Sequence, residues 1–569
     1  MTTFSFDKAQ FLGRVKEVDT RKVSILVETN EDLRKARVSQ LVTLKLPGAI
    51  EAWLIGIIEK VIKSVAIDEG QEDQLQEEES ESVVNTVKVT LLGSLNLIGE
   101  SMKFSRSINH VPDIDADCFI LKDAQLEQFM NIISQSGKLE NSFELGKYTI
   151  DESATAFIDG NKFFQRHVAL VGSTGSGKSW SVATILEKAS KLPSANLVVF
   201  DLHGEYKNLS YTKHLRIPGP EDLGKKDTQL LYLPYWLLNS EEMQSMFIDR
   251  SEFSAHNQVM AFQDAVISEK KNFLTAHGKD KILTAFTIDS PVPFEIESVI
   301  NILKELNEEM IEGARGLKQG NFYGQFSRLL TRLKSRLSDK RYGFIFQAPK
   351  EEHKYESMAE LARNLMDFSS NKSQIKVIDF SEVPNDVLPI IVGLVARIIY
   401  QVQFWTDRDK RHPLVFVCDE AHLYLPKKEG QNPIEKRAIE NFEKIAKEGR
   451  KYGVALFIIS QRPSDVSDTV LSQCNNVISL RLTNSEDIQT VKKLMPESLE
   501  TMLDSLPIMD IGEGLVVGDA VLLPSRIRIN QPNEKPLSST IDIWSKWAEK
   551  PFIPDFVKTI ENFRRQNRD

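Results

Sequence analysis

His167-Val-Ala-Leu-Val171 runs straight into Gly172-Ser-Thr-Gly-Ser-Gly177-Lys178-Ser179, and this junction of apolar strand and glycine-rich loop decides the fold. The loop matches G-x-x-x-x-G-K-[ST] in full, with a helix predicted to open near Trp180. Glycines let backbone N–H groups wrap a polyphosphate, and the helix N-terminus adds favourable partial charge. Lys178 supplies a cation for the β- and γ-phosphates, and the Ser179 hydroxyl helps hold Mg²⁺. Gly172, Ser173, Thr174, Gly175, Ser176, Gly177, Lys178 and Ser179 are therefore the expected binding residues, with ATP and Mg²⁺ as their ligands.

Outward from the loop, five more compact apolar runs predict strands: 196–200, 375–380, 414–418, 454–459 and 477–482. Their apolarity is continuous rather than alternating, which indicates burial on both faces, as in a parallel α/β sheet. The core is expected over 151–240 and 371–530. Between 241 and 370 the strand signal gives way to helical periodicity, which predicts an inserted helical subdomain. Residues 1–105 carry short strands, such as 23–27, 41–46, 52–58 and 87–92, and predict a small β-barrel. Residues 106–150 read as a linker and 531–569 as a C-terminal extension. An acidic stretch at 68–82, without Lys or Arg, is expected to connect two barrel strands, either as a disordered insertion or as a docking arm.

Val415-Phe-Val-Cys-Asp419-Glu420-Ala-His422 is an apolar strand ending in two acids. Asp419 suits a role on Mg²⁺, and Glu420 suits the base that polarises an attacking water. A strand-end carboxylate pair in a turn is the plainer alternative. Asp201-Leu-His-Gly-Glu205-Tyr206 follows the strand after the phosphate loop, where the C-terminal edge of a sheet would face the γ-phosphate; a structural turn is its alternative. Gln461 follows the strand at 454–459 and can hydrogen-bond a γ-phosphate or water. Phosphoryl transfer calls for a guanidinium, often from a neighbouring subunit. Arg450, at a helix end, and Arg166, before the loop strand, are candidates, although an Arg at a helix end is also commonly a solvated charge.

The rest of the composition bounds the partners. The net charge is −10, which gives no bulk sign of nucleic-acid binding, although it does not constrain a local groove. Arg328, Arg332 and Arg336 share a helix face, either as a nucleic-acid contact or as a solvated face paired with acids. Cys118, Cys418 and Cys474 lie far apart, which fits a reducing cytoplasm and argues against zinc or disulfides. No apolar run reaches the roughly 20 residues of a membrane span, and no secretory signal is evident, so a cytoplasmic location is expected.

Taken together, the barrel, GSTGSGKS at 172–179, DLHGEY at 201–206, CDEAH at 418–422, EGRKYG at 448–453 and SQRP at 460–463 resemble the HerA-type ATPases of the FtsK–HerA group over nearly the whole chain. The resemblance implies a RecA-like P-loop core behind a HAS-type barrel, a homohexameric ring and a channel for duplex DNA. It also implies Walker roles for Lys178, Ser179, Asp419 and Glu420, a sensor role for Gln461 and a trans arginine finger at Arg450. Arg166 would be an additional nucleotide sensor, and Asp201 and Glu205 belong to a second acidic motif. Such motors work with a partner, and the resemblance implies a nuclease in DNA processing, or a nuclease or sirtuin-type NAD-consuming effector in antiviral defence. The acidic stretch departs from the family pattern.

Two rivals remain. Asp419-Glu-Ala-His422 spells a DEAH helicase box, but a long insertion separates it from the loop and no second RecA-like half is evident. The other rival is an ATP-dependent ring scaffold that assembles and activates an effector without translocating.

Overall fold

The computed structural model describes all residues except 1–5, 7, 47–51, 68–80, 100, 226, 314–315, 371–372, 428–432, 539–541, 550–554 and 566–569. The expected acidic connection thus lies almost wholly outside the described residues. The chain divides into two compact units. The first comprises 1–185, 461–464 and 474–531; the second comprises 186–460, 465–473 and 532–569.

The first unit begins with seven strands: β1 (Phe11–Asp19), β2 (Lys22–Val27), β3 (Leu41–Lys45), β4 (Ala52–Ile67), β5 (Glu81–Ile98), β6 (Ser101–Ser105) and β7 (Asp117–Ile120). They pair in the order β2-β1-β7-β3-β4-β5-β6, and a further β2–β5 pairing closes the first six into a barrel. The inward residues, including Leu12, Val15, Ile25, Val42, Leu54, Val87 and Val89, are fully buried and form its core. Alternation of this kind buries one face of each strand while the other stays wet. The barrel does not end at residue 105. Strand β7 pairs with both β1 and β3, so the closing strand lies inside the segment expected as a linker. That segment also holds a helix, Asp123–Gly137, which buries Phe129, Met130 and Ile133.

The strands that follow in chain order are β8 (Ser142–Tyr148), β9 (Asp151–Asp159), β10 (Val168–Val171), β11 (Leu197–Asp201), β12 (Lys213–Arg216), β13 (Met310–Gly313), β14 (Gly316–Gln319), β15 (Ile375–Asp379), β16 (Leu414–Cys418), β17 (Val454–Ser460), β18 (Asn476–Ser479), β19 (Glu513–Gly518) and β20 (Ser525–Ile529). Within the first unit, β10 pairs in parallel with β18, and β18-β19-β20-β8-β9 continue antiparallel. The expected all-parallel core is therefore mixed. β8, β9, β19 and β20 can join without crossover helices because antiparallel neighbours need none.

In the second unit the order β12-β15-β11-β16-β17 is parallel throughout. β11, β15, β16 and β17 are buried along their whole length, as their unbroken apolarity requires. Helices Ser240–Phe247, Ala255–Ala276, Ile296–Glu308, Ser327–Ser338 and Ser357–Met366 fill the interval between β12 and β15, with the hairpin β13–β14 among them. The helix Leu388–Trp405 is long and apolar enough to cross a membrane, but it is largely buried against the fold as a core helix.

Candidate functional site

In the first unit, β10 delivers the chain into the phosphate loop. The tight course of the loop explains its glycines. A Cβ on Gly172 would sit 2.5 Å from Ser176 Oγ and 2.8 Å from Leu480 Cβ. Gly177 adopts φ +100° and lies beside the Gly512 backbone, so a side chain there is excluded twice. The loop is pinned to its neighbours. The N–H and hydroxyl of Ser173 both donate to the Arg481 carbonyl, at 2.8 and 2.9 Å, and Gly512 N–H donates to the Ser176 carbonyl at 3.1 Å. Lys178 opens the helix Lys178–Ser190; it is 9% exposed, and its Nζ approaches the Ser173 carbonyl at 3.4 Å, folded back over the loop. Ser176 Oγ is buried and has no hydrogen-bond partner among the described residues.

Gln461 stands on this loop. Its Oε1 accepts the Thr174 hydroxyl at 2.7 Å. Arg166 closes the short helix before β10 and forms an ion pair with Asp519, half exposed. It is thus committed to a carboxylate of its own unit, which the sequence alone did not suggest.

In the second unit the parallel register places the C-terminal ends of β15, β11 and β16 side by side, with Asp379 opposite Asp201 and Phe200 opposite Cys418. Asp201 is fully buried. Its carboxylate accepts N–H bonds from His203, Glu205 and Tyr206 at 3.2, 3.0 and 2.9 Å. Both oxygens are thereby spent on shaping the 201–206 loop. Burial nonetheless raises its pKa, and the charge of Asp379 adds to that. Asp419 is buried too, and burial, then the charges of Glu420, Glu205 and Asp201, push its carboxyl well above the usual range. The Glu420 N–H, bonded to Asp419 Oδ1 at 3.0 Å, opposes this only in part.

Glu420 takes φ +44°, the left-handed region that costs a side-chain-bearing residue about 1 kcal/mol. Its Oε2 is buried without a hydrogen-bond partner, as is Glu205 Oε2. His422 Nδ1 lies 3.3 Å from Glu420 Oε2 and 3.4 Å from Ser460 Oγ, at the end of β17. Tyr424 donates its hydroxyl to the Asp419 carbonyl at 3.0 Å, and the buried Tyr206 phenol faces the charges of Asp419, Glu205 and Asp201. His422, Tyr206 and Tyr424 went unassigned in the sequence, although the first two stand inside the quoted motifs. Two buried carboxylates, Asp201 and Asp419, with the partly buried Glu205 and Glu420, have the donor chemistry that suits a divalent cation. Among the described residues no three His, Cys, Asp or Glu side chains are grouped so as to hold a metal ion by themselves.

Arg450 sits in the turn Gly449–Tyr452, exposed and without an ion pair among the described residues. The EGRKYG sequence explains the turn. A Cβ on Gly449 would come within 2.6 Å of the Val454 carbonyl, and Gly453 ends the turn at φ +73°. The Tyr452 ring packs on Phe404 at 5.1 Å and under the Arg411 guanidinium at 4.9 Å. The basic helix face is largely committed internally: Arg332 pairs with Glu252 at 2.7 Å and Arg336 with Asp386 at 3.1 Å.

Two family models match overlapping parts of the chain, the helicase HerA central domain over residues 143–399 and the helicase HerA-like C-terminal domain over 384–523. The DNA double-strand break repair helicase HerA of Saccharolobus solfataricus is 25% identical over 455 residues, 78% of each chain. The protein of that name from Pyrococcus furiosus is 25% identical over 509 residues, 84% of this chain and 82% of that one. Among solved structures, VirB4 of Thermoanaerobacter pseudethanolicus superposes with a TM-score of 0.44 at 18% identity, covering 69% of this chain and 97% of the other.

Proposed function

The chain belongs to the HerA-type ATPases, and from that premise we propose that this ATP hydrolase is a motor that moves double-stranded DNA through a homohexameric ring. The carrying observation is Glu420: held left-handed at the end of β16, its Oε2 is buried without a hydrogen bond, with His422 Nδ1 3.3 Å away. A carboxylate so held, with an imidazole at its back, can take the proton of the attacking water that hydrolysis requires.

The roles follow from chemistry. Lys178 and the loop N–H groups hold the phosphates. Ser179 and Asp419 hold Mg²⁺, which when bound neutralises charge on the phosphates. Glu420 takes the proton of the attacking water, Gln461 reports the γ-phosphate, and Arg450 of one subunit reaches the site of the next. Asp201 orders the loop that presents Glu205. Arg166 senses nucleotide through release from Asp519. DNA contacts run to the phosphate backbone, because a motor that must leave each site gains nothing from base-specific bonds. A nuclease or a sirtuin-type NAD-consuming protein is the partner that would act on what the ring delivers, in DNA processing or in antiviral defence.

The test is ATP turnover with Mg²⁺, with and without linear duplex DNA, on the wild type and on Glu420→Gln. Stimulation by duplex in the wild type and none in the variant is expected. Turnover indifferent to DNA but raised by an effector would favour the scaffold.

A further inference from the structure

The turn that leads into β19 lies on the phosphate loop itself. Besides the Gly512–Ser176 hydrogen bond of 3.1 Å, a Cβ built on Gly177 would meet Gly512 N at 3.3 Å and Ile511 Cγ2 at 3.8 Å. Gly512, at φ +79°, turns the chain there, and its carbonyl accepts from Ile529 N–H at 2.9 Å, so the turn is held from both sides. Ile511 is nevertheless 66% exposed and Ile508 is 78% exposed, while Met509 between them is buried. A single exposed isoleucine needs no explanation. Ile511 on the pinned turn, with Ile508 three residues earlier at the end of the 3₁₀ helix Glu497–Ile508, stands at the rim of a loop built for polyphosphate, and that place suggests its occupant.

We propose that Ile511, with Ile508 beside it, is the face on which the base of the bound nucleoside triphosphate rests. The proposal depends on the phosphate-loop reading of residues 172–179 and extends it to the other end of the same molecule. A branched aliphatic side chain offers dispersion contact to a flat heteroaromatic ring and neither donor nor acceptor to its edge. The polar groups nearby are engaged with one another. Arg528 bonds Glu513 at 2.7 Å and lies 3.7 Å from Asp510, and Arg526 bonds Glu513 at 2.7 Å. The face therefore reads the shape of a purine and not its hydrogen-bonding edge, so adenine and guanine nucleotides should bind alike.

The test is displacement of a fluorescent ATP analogue from the full chain, with Mg²⁺, by ATP, GTP and inorganic tripolyphosphate. Wild type should bind ATP and GTP within about threefold of each other. Ile511→Ala should weaken both by about five- to tenfold, the loss expected for one aliphatic contact, and leave tripolyphosphate within about twofold. Equal weakening of all three competitors would mean that Ile511 acts through the loop backbone and would overturn the base face. So would unchanged ATP affinity, a wild-type preference between ATP and GTP above about tenfold, or a change in assembly mass that makes Ile511 a subunit contact. Wild type that binds neither ATP nor tripolyphosphate, or that is insensitive to Lys178→Ala, would instead overturn the phosphate-loop reading on which the proposal stands.

Discussion

The Thr174 hydroxyl donates to Gln461 Oε1 at 2.7 Å, tying the phosphate loop to the residue that follows β17. With Oε1 turned to Thr174, the NH₂ group of Gln461 is left to donate elsewhere. Thr174→Val keeps the shape and removes the donor. We expect kcat for ATP to fall several-fold with KM within about twofold, and Thr174→Ser to restore the rate. A steady-state series on the three proteins decides it, and an unchanged kcat in the valine variant would remove Thr174 from the account.

Glu420 raises the pKa of Asp419 by its charge, within a set of carboxylates that also includes Glu205 and Asp201. Glu420→Gln takes one negative charge out of that set and removes the base. The variant should bind ATP and fail to turn it over, and without nucleotide it should melt a few degrees above the wild type, since like-charge repulsion is relieved. Calorimetry alongside a single-turnover assay checks both halves; a lower melting temperature would mean that the contact of Glu420 with His422 outweighs the repulsion.

Arg450 is presented by a turn whose glycines and Tyr452 stack shape it, and it finds no partner among the described residues of its own chain. Arg450→Ala should assemble normally and hydrolyse poorly, by roughly the 10³-fold or more that a finger supplies. Mixed with Lys178→Ala subunits it should regain activity, because some interfaces then pair an intact loop with an intact finger. Absence of rescue in rings shown to be mixed would count against action in trans.

Lys376 is fully buried at the heart of β15, bonded to Asn196 and to the Asp367 carbonyl, and burial pulls its pKa down to about 7. A lysine depressed in the fold binds its proton more weakly there than in the unfolded chain. Stability should therefore rise with pH between about 7 and about 10, and the penalty should be complete below about 7. Lys376→Met should flatten that slope, most clearly between about 7 and about 8, because Lys270, pulled down to about 8 by burial, titrates over the upper part of the range. The variant should also be the more stable at neutral pH. Thermal denaturation across this pH range measures it; a wild-type slope that persists in the variant would assign it to another group.

The phosphate loop and the strands β10, β11, β15, β16 and β17 were legible because their signals are local: a fixed motif, and apolar runs buried on both faces. The antiparallel part of the sheet was not. Ser142–Tyr148 and Asp151–Asp159 interrupt their apolar residues with charged ones, and Lys213–Arg216 shows no apolar run, because edge and antiparallel strands expose one face. Asp117–Ile120 is too short to stand out, and only its pairing with β1 and β3 reveals that it closes the barrel. Residue types suggested chemistry for Asp201 and Glu420, but the turn of three N–H bonds around Asp201 and the His422 contact of Glu420 depend on geometry. The Arg166–Asp519 pair joins residues far apart in sequence, and no spacing rule could have shown it.

Release of a third strand from a linear duplex measures the central claim most directly, since only a protein moving along the duplex strips it off. The wild-type chain with ATP and Mg²⁺ should displace the strand, with no dependence on duplex sequence and with steep loss as salt rises. A non-hydrolysable analogue, or the Glu420→Gln protein, should leave it bound. Brisk ATP turnover on the same duplex without displacement would contradict the motor and leave the ring as an ATP-gated scaffold.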